Sequence, residues 1–212
     1  IAKLKKAYPD KVPLTIGLKD GWFNGDVFAL FANMVEKGIT EKADQGKIKW
    51  NDPKFVKAMG LLKNLVDTGV IDKNSLGVAV YEDSIGMWAD GKACMHINGG
   101  WAIGMLSNPK NVNPQGKPYA DRRGGRATDN DVFGAFPVPN FAGGNPIVLG
   151  GIDVGIALNK NVGKDKKKLD AALKLLDYML VGEGRTFQTG RPGAGLIPSL
   201  KGVSLDKSIY QD

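Results

Sequence analysis

Two short stretches combine residue types able to do chemistry. In "HINGGWAIG", residues 96 to 104, an apolar run passes through Asn98, Gly99 and Gly100 and then presents Trp101. Glycines at such a turn allow φ > 0 and let another group approach the backbone closely, and a helix starting there exposes N–H groups that have no helical partner. A polar ligand is a natural partner for those amides; the alternative is that the glycines only turn the chain and Trp101 packs in the core. Tryptophan joins a flat apolar face to an N–H donor at its edge, which matches a ligand with an apolar ring face and a hydroxylated rim, as a sugar has. The second stretch is Asp20-Gly21-Trp22-Phe23, read as a glycine-flanked loop. There a carboxylate accepts hydroxyl hydrogen bonds while an aromatic ring stacks below them. Its alternative is a hydrophobic staple for the helix that follows.

Other chemistries find little support. Cys94 is the single cysteine and His96 the single histidine. No internal disulfide and no cysteine-based zinc site can form. Two residues apart on an extended segment, the pair would share a face but lack the third group that orients a catalytic base. No metal site or cofactor is expected. A phosphate at the Asn98–Trp101 turn would lack the Lys and Ser/Thr of a P-loop. The net charge of +7 raises polyanion binding, but the basic residues are spread along the chain. Even the run from Lys164 to Lys168 contains Asp165 and borders an amphipathic helix, so no nucleic-acid partner is expected. No apolar stretch reaches the roughly 18 residues that a membrane-spanning helix needs.

The elements that position these residues read as interleaved helices and strands. Residues 13–18 form a short extended segment. A helix capped by Asp26 runs to about Lys37 and stops at Gly38, followed by a polar, β-prone patch ending at Trp50. Asp52-Pro53 then opens a helix with Phe55, Met59, Leu62 and Val66 on one stripe, Ala58, Leu61 and Leu65 beside it, and Gly69 at its end. A further helix spans about Tyr81 to Asp90 with Ile85 and Trp88 inward, and Cys94 to Ile97 reads as a buried strand. Residues 107–131 look like a long surface loop. Residues 132–138 and 147–158 look β-rich. A long helix from about Asp165 to Val181 aligns Leu169, Ala172, Leu173, Leu176 and Leu180, and a shorter one starts at Glu183. The class is α/β.

Several segments, in this order, resemble the bacterial extracellular solute-binding proteins of sugar ABC importers, the family 1 group that includes maltose-binding protein. They are the Asp20–Phe23 stretch, "LVDTGVI", "MWADGKACMHINGGWAIG", "FGAFPVPNFAGG", "LGGIDVGIALNK", "DAALKLLDYMLVGEGRTFQTG" and "GLIPSL". The resemblance implies one α/β lobe of a periplasmic-binding-protein type II fold, a mixed sheet flanked by helices, over residues 1–212. That lobe is mainly the second of two, the opening elements of the first lobe and the closing helices being absent. It also implies a carbohydrate held between lobes and delivered to a membrane permease, and an extracytoplasmic setting, periplasmic or as a cell-surface lipoprotein. On this resemblance Trp22 and Trp101 match stacking aromatics and Asp20 a polar neighbour. Gly150 and Gly151 match a glycine pair whose backbone approaches the ligand, and Asp153 and Arg191 are further hydrogen-bonding candidates. Trp50 and Trp88 are assigned to packing, since each lies in or beside a segment whose pattern demands a buried residue.

The reading is therefore a monomeric, non-catalytic sugar receptor. A glycan-acting enzyme would need two carboxylates about 5 to 10 Å apart across a bond, for which Asp20 and Asp153 are the candidates. A basic interaction module would need a contiguous Lys/Arg face.

Overall fold

The computed structural model describes residues 1–102, 134–150, 155–181 and 184. The expected loop at 107–131, the helix from Glu183 apart from Gly184, and the "GLIPSL" segment lie outside the described residues. The chain divides into two compact units, one formed by Ile1–Asn98 and Val112–Leu149, the other by Gly99–Asn111 and Gly150–Asp212.

The first unit is mixed α/β. After α1 (Ala2–Ala7) come β1 (Val12–Thr15), α2 (Gly21–Val35), α3 (Ile39–Asp44), α4 (Pro53–Asp67), a π-helical turn (Val80–Ser84), α5 (Ile85–Ala89) and β2 (Ala93–His96). β1 and β2 pair in parallel, Val12 opposite Ala93, Leu14 opposite Met95 and Thr15 opposite His96. Leu14 also bridges to Ile71, its N–H donating to Val70 at 3.1 Å. Parallel strands need a crossover, and here α2 to α5 supply it. The core joins Leu14, Ile16 and Leu18 of the β1 region to Phe23, Val27 and Phe31 of α2 and to Phe55, Ala58, Leu62 and Leu65 of α4.

Helix α2 begins five residues before the Asp26 cap that the sequence suggests. Phe23, Val27 and Phe31 recur every fourth residue and are all buried, so the apolar stripe claims one more turn and carries Gly21 and Trp22 into the helix. Gly38 is left-handed, at φ 79°, as expected, but it joins two helices: the patch before Trp50 contains α3 instead of β structure. Buried Asn33 organises that corner. Its Nδ2 donates to the Ala29 carbonyl at 2.9 Å and to Thr40 Oγ1 at 3.0 Å, while its Oδ1 accepts from the Gly38 N–H at 2.7 Å. Glu36 closes the helix end, accepting from Lys42 at 2.5 Å and also from Lys54; these two ammonium groups hold its carboxyl down to about 2.

α4 follows the sequence closely. Asp52 Oδ1 accepts from the Lys54 N–H at 2.9 Å, Pro53 is the first helical residue, and Gly69 follows the helix at φ 63°. The buried face runs through Phe55, Ala58, Leu62 and Leu65, leaving Met59 exposed.

In the second unit α6 (Lys166–Leu180) starts on Asp165, whose Oδ1 accepts from the N–H groups of Lys167 and Lys168. Leu169, Ala172, Leu176 and Met179 are half-buried, whereas Leu173 and Leu180, expected on the same face, are exposed. The described parts of the two β-rich stretches, 134–138 with 147–150 and 155–158, form no strand. Pro137 lies within the first stretch and Pro139 and Pro146 flank the two, and a residue without an N–H cannot donate to a ladder. The described sheet is thus parallel and two-stranded, smaller than the mixed sheet expected.

Candidate functional site

The Asp20–Trp22 stretch is an element junction. Leaving β1, the chain passes Gly17, and the N–H groups of Leu18 and Lys19 donate to the carbonyls of Ser75 and Val78 at 3.0 and 3.1 Å. Asp20 then takes the N-cap position of α2 but does not cap it. Its Oδ2 accepts from the Val80 N–H at 2.7 Å, 60 residues away in sequence. Its Oδ1 accepts no hydrogen bond from any described residue. The half-buried carboxylate thus has one oxygen fixed by the backbone and one that, among the described residues, is left without a donor.

That bond places the π-helical turn beside the first turn of α2. Tyr81, next to Val80, stacks on Trp22 with ring centroids 6.1 Å apart and planes at 24°, and Phe23 meets Trp22 edge-on at 5.3 Å and 63°. Phe23 is a core residue, so the stack is anchored, yet Trp22 remains 47% exposed. A half-exposed tryptophan backed by a second ring, one residue removed from an open carboxylate oxygen, can accept the apolar face of a pyranose and hydrogen-bond its rim. Tyr81 was read from sequence only as the start of a helix, and no local signal marks it: its role comes from the Asp20–Val80 contact.

At the second stretch the finding differs from expectation. Neither Gly99 nor Gly100 is left-handed. Gly99 is small for another reason: a Cβ there would stand 2.1 Å from Cζ3 of Trp101, so the indole lies directly over the Gly99 backbone. The close approach inferred from the glycines is made by the protein's own tryptophan. Trp101 and Ala102 are helical, and the Ala102 N–H donates to the Gly99 carbonyl at 3.0 Å, consistent with a helix start. Asn98 and Trp101 are half-buried. Gly150 is exposed, and a Cβ built on it would meet nothing, so the space over its backbone is open. Gly151, Asp153 and Arg191 lie outside the described residues.

The structure therefore brings Asp20, Trp22 and Tyr81 together in the first unit, which also holds Asn98, while Gly99, Gly100, Trp101 and Gly150 belong to the second. Trp88 packs as expected, its ring 5.8 Å from that of His96. Trp50 does not: it is 52% exposed, and so corrects its assignment to packing. Its neighbour in the pattern, Phe55, takes the buried position instead, and Trp50 lies on top of it.

His96 is held down to about 4 by burial, so it is neutral at neutral pH, and its Nδ1 has no hydrogen-bond partner among the described residues. Beside half-buried Cys94, it thus lacks among the described residues the third group that would orient it as a base. Among the described residues no cluster of three His, Cys, Asp or Glu side chains could hold a metal ion, and no helix is long and apolar enough to cross a membrane.

No family model matches the chain, and no curated protein does. A solved structure, a chitin oligosaccharide binding protein, is similar over 56% of this chain and 28% of its own, at 24% identity and a TM-score of 0.44. The chain spans under a third of that protein's length.

Proposed function

We propose that this chain is the carbohydrate-binding part of a solute-binding receptor, a non-catalytic monomer that captures an oligosaccharide outside the cytoplasm and delivers it to an ABC-importer permease. The observation that carries the sugar reading is the Trp22–Tyr81 stack beside the open Oδ1 of Asp20. Stacking supplies affinity for the apolar ring face, and the carboxylate supplies direction by accepting hydroxyl hydrogen bonds. The importer role is supported by the ordered run of segments resembling that family. In such receptors the ligand is desolvated between two closing lobes, so one lobe alone holds its sugar weakly, with a Kd on the order of millimolar.

The test is a tryptophan-fluorescence titration with a panel of chito-, malto- and xylo-oligosaccharides carried to high concentration, repeated with Trp22→Ala. Saturable quenching by one sugar class, abolished in the variant, is the expected result. A flat response to the whole panel by a folded protein removes the sugar reading. Recovery of the sugars uncleaved after prolonged incubation is expected of a receptor, and cleavage would replace it with a glycan-acting enzyme.

A further inference from the structure

A second aromatic platform stands on the first unit, away from Trp22. Trp50 lies on Phe55 with centroids 5.1 Å apart and planes at 29°. Phe28 completes the cluster, 5.5 Å from Phe55 and 6.3 Å from Trp50. Phe55 is a core residue, so the platform is mounted on rigid packing. With Phe55 on one face and 52% of the residue exposed, the other face of the indole looks into solvent. The indole N–H donates to no described residue.

The backbone around Trp50 is fixed as well. The Asp52 N–H donates to the Lys49 carbonyl at 3.0 Å, closing a turn around Trp50, and the Asp52 cap and Pro53 start α4 immediately afterwards. A ring ordered before binding loses little entropy on meeting a ligand. Exposed Lys49 and Asn51 flank it and provide donors and an amide oxygen at the rim.

We propose that the open face of Trp50 is a second saccharide-stacking surface, which takes a pyranose ring of an oligosaccharide or polysaccharide independently of Trp22. The proposal rests on the carbohydrate reading above. Independence follows from α2, which carries Trp22 and Phe28 six residues apart. At about 100° and 1.5 Å per residue they project some 120° apart and about 9 Å along the axis, so the two aromatic clusters rest on different faces of α2. A ring lying flat with a wetted rim suits a sugar face; a tryptophan that anchors a protein partner more often fills a pocket. Two such surfaces on one unit would hold a long glycan at two points and raise its residence by effective concentration.

The experiment follows the indole N–H signals of all four tryptophans by NMR, each assigned by single Trp→Phe variants, while chitohexaose and maltohexaose are titrated in turn. The expected result is a saturable shift of the Trp50 signal in the wild-type protein that persists in Trp22→Ala. In Trp50→Leu the apparent affinity for the hexaose should fall about threefold to tenfold while the Trp22 signal still shifts. A Trp22 shift with an unmoved Trp50 signal overturns the second surface and leaves the first reading intact. No shift in either signal overturns both. A Trp50 signal that moves with protein concentration but not with sugar identifies a protein contact and overturns the proposal.

Discussion

Gly17 packs directly against the backbone of Val80: a Cβ on Gly17 would stand 2.6 Å from Val80 Cα and 2.7 Å from its nitrogen. Backbone cannot swing aside as a long side chain can. Together with the Asp20–Val80 hydrogen bond, this contact sets where Tyr81 meets Trp22. Gly17→Ala is therefore expected to cost about 1–3 kcal/mol in urea denaturation and to displace the Trp22 indole NMR signal. An unchanged midpoint and signal would show that the contact is loose.

Asp20 carries a structural and a binding role on different oxygens. Asp20→Ala strands the Val80 N–H, at a cost of about 1–3 kcal/mol, and removes the open acceptor. Asp20→Asn keeps an oxygen for Val80 and should recover most of the stability. Denaturation midpoints compared with sugar titrations of both variants separate the two roles, and a binding loss that tracks stability alone would remove Asp20 from the site.

The Trp22–Tyr81 stack should show as coupling. A double-mutant cycle with Trp22→Ala and Tyr81→Ala is expected to give about 0.5–1.5 kcal/mol of interaction in thermal unfolding. Additive single effects would mean the rings touch without stabilising one another.

Helix starts give a further prediction. Asp52→Ala should destabilise the first unit by about 1 kcal/mol in chemical denaturation, and Asp52→Asn by much less. Equal losses from both would point to charge and not to the cap bond.

His96 and Glu36 give separate acid windows. His96 is held down to about 4 in the fold against 6.5 when unfolded, so the unfolded chain binds more protons between those values. Its contribution is complete above 6.5 and is lost as pH falls through about 4, a loss of about 3 kcal/mol. Glu36, held near 2 against 4.5, gives a contribution lost only below 4.5. Its carboxylate is only half-buried and its lysine partners reach into solvent, so screening keeps its effect small. Thermal melts of His96→Phe and the wild-type protein across pH 7 to 4 check this: the variant should lose the upper slope, and an unchanged profile would assign that slope to other groups.

What the sequence determined is what short-range interactions decide. The starts of α4 and α6 were legible in Asp52-Pro53 and Asp165, because a cap bonds amides only two or three residues ahead. The left-handed ends at Gly38 and Gly69 were legible for the same reason, as were β2 to within one residue and β1, whose end falls three residues short of the extended segment expected. The early start of α2 was legible in principle, in the spacing of Phe23, Val27 and Phe31, but the nearer cap signal of Asp26 competed with it. Only the tertiary structure decided that Tyr81 stacks on Trp22, that Trp101 covers Gly99, and that Trp50 faces solvent from the top of Phe55. A tryptophan's type states that it has a face to bury; which neighbour covers that face, and which face is left to water, is set by chain segments that meet only when the core closes.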